Sequence, residues 1–139
     1  MLFRSISNDF FKLWLDENMH YTSAVFDRPG MSLEEAQENK ARVLYEFAEM
    51  DSSKSILDIG CGWGSMLDYA ARRGARVAHG ITLSTEQAAW ARDRHLPKTE
   101  IIICDYALYQ PEKKYDALVS IEMIDHLCSP EQEIGRAHV

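Results

Sequence analysis

The chain lacks any apolar run near the roughly 18 residues that a membrane-crossing helix requires. Its opening, Met1-Leu2-Phe3-Arg4, lacks the long apolar region of a secretory signal. Cysteine is scarce. Cys61, Cys104 and Cys128 are odd in number and never spaced C-x-x-C, which argues against a disulfide frame and against a zinc site. They read as reduced thiols, and no metal is expected. Positive charge is also short. The chain has 15 Lys and Arg against 22 Asp and Glu, a net charge of −7, the wrong sign for a nucleic-acid surface. There are no repeats, low-complexity stretches or linkers, and 139 residues leave room for one domain. These absences point to a cytoplasmic protein, at most peripheral to a membrane.

What is present concentrates in Leu57–Ala70. The apolar run Ser55-Ile56-Leu57-Asp58-Ile59 ends abruptly in Gly60-Cys61-Gly62-Trp63-Gly64, and an amphipathic segment follows at once. That order predicts strand, glycine turn, helix. A turn without side chains lets backbone N–H groups approach a ligand, and the helix start adds its positive dipole end. In doubly wound sheets such a turn is the nucleotide-binding corner. The dinucleotide fingerprint is G-x-G-x-x-G, and here the third glycine comes one residue early.

The rest of the pattern supports a parallel sheet. Ser7 or Asn8 can cap a short helix through Phe10, Phe11, Leu13, Trp14 and Leu15, an aromatic stripe expected to be core. Ser32 and Glu35 form a capping box. The helix behind it, running to about Met50, puts Leu33, Ala36, Lys40, Val43, Leu44 and Phe47 on one stripe, apolar except for Lys40. Strands are predicted at 55–59, 76–81, 100–104 and 115–121. Helices are predicted at 65–73, stopped by Gly74, and from a second capping box at Ser84 and Gln87 to about Arg94. Right-handed crossovers put every strand's carboxyl end on one rim, which gathers Gly60–Gly64, Thr82–Gln87, Asp105 and Glu122–His126. The expected fold is α/β: a doubly wound, mostly parallel Rossmann-like sheet, truncated after about four strands, with an N-terminal helical cap over residues 1–50.

The segments SNDFFKLWLD, YTSAVF, MSLEEAQENK, LDIGCGWGS, GITLSTEQ and VSIEMIDHL resemble, in order and spacing, the cyclopropane-fatty-acid synthase family of S-adenosylmethionine (SAM) methyltransferases, which includes the mycolic-acid cyclopropane synthases. The resemblance runs from about Ile6 to Leu127. It implies that residues 51–133 bind SAM. Gly60, Cys61, Gly62 and Gly64 would meet its methionine part, with Asp58 and Trp63 around it. Thr82, Leu83 and Gln87 would take the ribose, where many methyltransferases use an acid. Asp105 and Tyr106 would contact adenine, and Tyr21 and Thr22 would close over the cofactor. Helix capping alone is the plain alternative for Thr82, Ser84 and Gln87.

The implied reaction is methyl transfer to the double bond of an unsaturated fatty-acyl chain, as a cyclopropane-fatty-acyl-phospholipid synthase would perform it. In the family a bound bicarbonate then takes the proton. Two members of the set that holds it differ here. Ser23 replaces a cysteine. Asp125, followed by His126, replaces a glutamate and is shorter by roughly an ångström, enough to harm a preorganised site. The scaffold is also similar to methyltransferases of small molecules. An amine or an acidic carbon acceptor has no need of bicarbonate, which suits Ser23 and Asp125. A plain nucleotide-binding fold, such as a dehydrogenase, is the third alternative. Finally, residues 134–139, IGRAHV, show neither periodicity nor cap and resemble the in-frame translation of a sequencing adapter. The natural protein is therefore expected to continue past Glu133, and this chain alone to be inactive.

Overall fold

The computed structural model describes residues 7–123. Two helices precede the sheet: the single turn α1 (Asn8–Phe11) and the 15-residue α2 (Leu33–Phe47). The alternation then runs β1 (Ser55–Ile59), α3 (Ser65–Arg72), β2 (Val77–Thr82), α4 (Thr85–Asp93), β3 (Thr99–Ile103) and β4 (Ala117–Val119). The strands form one parallel sheet in the order β3-β2-β1-β4. β1 is an inner strand and nearly fully buried, as expected of a parallel strand covered on both faces. From β1 the chain winds outward through β2 and β3, and β4 then returns to the other side of β1. The strand order therefore reverses between β1 and β4, and open α/β sheets bind ligands in the crevice at that switch point.

The core lies where α2, α3 and α4 pack on the sheet, around Tyr45, Ile56, Leu67, Tyr69, Ala78, Ala88 and Ile101. Small residues let the layers come close. A Cβ added at Gly80, in the middle of β2, would stand 2.6 Å from both Cys61 Sγ and Leu67 Cδ1. Gly74 ends α3 in the left-handed conformation (φ 81°), the role read from sequence.

Several local expectations are corrected. The N-terminal helix is one turn, capped by Ser7, whose Oγ accepts from the Phe10 N–H at 3.4 Å. Its aromatic stripe is not all core. Phe11 is buried, but Phe10 and Trp14 are half exposed and Leu13 is 79% exposed, because four residues cannot turn every ring inward. On α2 only part of the predicted stripe is buried: Ala36 and Lys40 are, and Leu44 packs partly against the core. Leu33, Val43 and Phe47 are exposed, whereas Ala36, Gln37, Asn39, Lys40, Ala41 and Tyr45 are buried. Ala41 and Tyr45 meet the core, and the polar residues beside them are buried because they hold a loop. Gln37 Nε2 donates to Thr22 O at 2.8 Å, Asn39 Nδ2 donates to Val25 O at 2.9 Å, and Lys40 Nζ donates to Thr22 Oγ1. The box at Ser32 is complete. The one at Ser84 is half made. Ser84 Oγ accepts from the Gln87 N–H, but the Ser84 N–H is taken by Thr82 Oγ1 at 3.2 Å, so the Gln87 side chain turns to Thr82 instead. β4 is shorter than predicted at both ends.

Candidate functional site

The carboxyl rim of the sheet, the glycine turn and the loop before α2 enclose a cavity of about 480 Å³, within the range of small-ligand sites. Its floor is the turn after β1. Gly60, Gly62 and Gly64 all have positive φ (84°, 54° and 80°), which L side chains rarely adopt. A Cβ at Gly60 would stand 3.0 Å from Met123 Cγ, so that side chain would have to give way. The N–H groups of Gly60 and Cys61 both donate to Ile81 O at 2.9 Å, so β2 fixes the turn. Gly64 begins α3 and packs against Ala91.

The far wall comes from the N-terminal segment. Trp63 Nε1 donates to Asn8 Oδ1 at 2.8 Å, and Ser65 Oγ donates to Asn18 O at 2.7 Å. The Trp63 ring meets Phe11 at 4.9 Å and Tyr21 at 6.4 Å, centroid to centroid. Asp16 pins the turn that leads into the loop. Its Oδ1 accepts from the His20 N–H at 2.7 Å and its Oδ2 meets His20 Nδ1 at 2.8 Å. Burial pushes this carboxyl up, but the bonds from His20 and Asn18 prevail and hold it below its ordinary value.

Asp58 is the electrostatic centre. It is 3% exposed, and its Oδ1 makes no hydrogen bond among the described residues. Burial pushes its carboxyl up to about 7, while the nearby Lys40 ammonium pulls it down. Lys40 is itself buried, and desolvation lowers its pKa against the attraction of Glu122, Asp16 and Asp58. Cys61 is not poised as a nucleophile. Burial, and then the Asp58 charge, push its thiol far above the ordinary range.

The cavity brings together Tyr21, Thr22, Asp58, Gly60, Cys61, Gly62, Trp63, Thr82, Leu83, Gln87 and Tyr106 of the residues named from sequence. It does not include Gly64, Ser23 or Asp105. Ser23 is exposed beside it, and its N–H donates to Glu122 Oε1 at 2.8 Å. Asp105 Oδ1 accepts from the Ala107 N–H at 2.8 Å and closes a turn. Asp125 and His126 lie outside the described residues. Sequence reasoning missed His20, Lys40 and Ser65, and gave Glu122 a place on the rim but no role. Lys40 had a signal: a lone cation inside a helix stripe read as apolar.

Residues 4–133 match the family described as mycolic acid cyclopropane synthetase. The chain belongs to that family. Cyclopropane mycolic acid synthase 2 of Mycobacterium bovis is 46% identical over 136 residues, 93% of this chain and 44% of that protein. A probable fatty acid methyltransferase of Mycobacterium tuberculosis is 42% identical over 127 residues, 88% of this chain and 29% of that protein. The crystal structure of mycolic acid cyclopropane synthase CmaA1 complexed with SAH and CTAB superposes with a TM-score of 0.81 at 28% identity, covering 90% of this chain and 45% of that one. The chain thus spans less than half the length of these family members.

Proposed function

We propose that this chain is the cofactor-binding part of a SAM-dependent methyltransferase that acts on the double bond of an unsaturated fatty-acyl chain. The observation that carries the cofactor is Asp58, a buried carboxylate with an unbonded oxygen, set at the glycine turn in the floor of the cavity. An orphaned buried carboxylate is costly unless a cation completes it. The lining contributes Asp58 and Glu122, with no Lys or Arg among the described lining residues. That charge suits a ligand carrying an ammonium and a sulfonium. It opposes the pyrophosphate of a dinucleotide, which weighs against the dehydrogenase alternative.

In this reading, residues 51–133 are the cofactor unit and residues 1–50 its helical cap. Asp58 takes the cofactor's ammonium, and the turn Gly60–Gly64 admits the methionine part. Thr82, Leu83 and Gln87 face the ribose, and Tyr106 takes the adenine side, with Asp105 fixing the turn that carries it. Tyr21, Thr22 and Trp63 shut out water. When bound, SAM supplies an electrophilic methyl to the carbon nucleophile of the alkene. Support for an apolar acceptor comes from the family and from Phe10, Leu13 and Trp14, which stand exposed beside the Phe11–Tyr21–Trp63 wall. Among the described residues no helix is long and apolar enough to cross a membrane.

The described part of the site does not fit bicarbonate, and no step is assigned to it. The Ser23 N–H that could hold an anion already holds the Glu122 carboxylate, and a second anion there meets like charge. The test uses the protein encoded by the complete reading frame around this chain, with methyl-labelled SAM, vesicles of unsaturated phospholipid and a panel of small amines. Label entering the lipid phase supports the proposal. Label only in a methylated amine would overturn the acceptor class, and no binding of SAH would overturn the cofactor.

A further inference from the structure

The loop that covers the cavity is held from two sides of very different strength. On one side α2 grips it repeatedly. Gln37 and Lys40 take both oxygens of Thr22, Asn39 takes Val25 O, and the Val25 N–H donates to Ala36 O at 3.2 Å. On the other side the loop must meet the end of β4, across the crevice where the strand order reverses. There the Ser23 N–H donates to Glu122 Oε1 at 2.8 Å, a contact between residues 99 apart in sequence.

Glu122 makes this contact from an unfavourable backbone. Its φ is +53°, a region where a side chain of this kind is strained and where such strain concentrates at functional sites. A glycine would hold the same bend without strain. The advantage of glutamate at this position therefore lies in its carboxylate. That carboxylate borders the cavity together with Thr22, Asp58 and Met123. Lys40, which holds Thr22 from the helix side, also feels the Glu122 charge. One residue just past β4 and one on the helix thus grip consecutive residues of the same loop.

We propose that Glu122 is a positioning residue: its carboxylate latches the cover loop, through the Ser23 N–H, onto the carboxyl rim of β4, and so holds Tyr21 and Thr22 closed over the cofactor cavity. The latch is a hydrogen bond to a charged acceptor, stronger than a neutral one. It can open without disturbing the bonds to α2, so the loop would hinge on the helix and release from the sheet. This rests on the cofactor assignment above.

The test compares wild type, Glu122→Gly and Glu122→Gln in the protein from the complete reading frame. Three quantities are read: SAH affinity by calorimetry, hydrogen exchange of the segment 20–25, and the melting temperature. Glu122→Gly removes the latch and relieves the backbone. It should melt no lower than wild type, exchange the loop amides faster, and bind SAH roughly tenfold more weakly. KM for SAM should rise more than kcat falls. Glu122→Gln keeps an acceptor oxygen and should stay within roughly threefold of wild type. Unchanged loop exchange and SAH affinity in Glu122→Gly would overturn the latch, as would a glutamine variant as impaired as the glycine one. If wild type binds no SAH, the cofactor assignment fails. Loop exchange in Glu122→Gly still decides whether the latch exists.

Discussion

Replacing Asp58 by asparagine keeps the shape of the side chain and removes its charge, and the structure fixes what should follow. In the unliganded fold the carboxyl titrates at about 7 instead of 3.8, because burial disfavours its ionised form more than Lys40 favours it. The folded state therefore binds this proton more tightly than the unfolded chain between about pH 4 and 7. By linkage, unliganded stability falls as pH rises through that window and levels off above it. The rise from 3.8 to about 7 corresponds to about 4 kcal/mol, as an upper bound. Groups such as Asp16 and Glu38, held below their ordinary values, contribute the opposite slope, but they are common to both proteins and cancel in the difference. Asp58→Asn should therefore match wild type near pH 4 and gain stability over it up to pH 8, read by urea denaturation. SAH should reverse the order. Its ammonium stabilises the ionised carboxylate, so wild type should release a proton on binding below about pH 7, seen in calorimetry as a heat that depends on the buffer. The asparagine variant should release none there and bind at least roughly tenfold more weakly, since losing one partner of a buried charge pair typically costs 2–5 kcal/mol. Equal pH slopes in the two proteins, or full-strength SAH binding by Asp58→Asn, would refute the reasoning.

Lys40→Met removes the cation that faces Asp58 and holds Thr22; the pH at which SAH binding reaches half strength should move upward, and an unmoved midpoint would show that Lys40 does not set the Asp58 charge. Gly80→Ala places a Cβ 2.6 Å from Cys61 Sγ and Leu67 Cδ1, so it should lower unfolding free energy by about 1–3 kcal/mol, and a neutral urea midpoint would contradict the close packing described. Asn8→Ala removes the Oδ1 that accepts from Trp63 Nε1 and leaves the indole in place; the cap should loosen by about 1 kcal/mol, and proteolysis within residues 8–20 should quicken. Unchanged cleavage would mean that ring packing alone holds it.

Much of the scaffold was determined by sequence alone. Local rules fix the glycine turn after β1, the Gly74 stop, the Ser32 box and the helix–strand alternation, because each depends on residues within a few positions of one another. The rim residues follow from them: once the strands are parallel, their carboxyl ends must share an edge, and most of the residues named there do line the cavity. Tertiary structure decided what lies between distant segments. Gln37, Asn39 and Lys40 of α2 are buried beside its apolar core contacts because they bond to a loop 14 to 18 residues away, and no helical periodicity records a partner outside the helix. Glu122 meets Ser23 across 99 residues because β4 returns to the far side of β1. The charge state of Asp58 likewise depends on burial and on Lys40, which the strand motif does not contain. Spacing dictates where a backbone turns, whereas the fold alone decides which charges are stripped of water and set against each other.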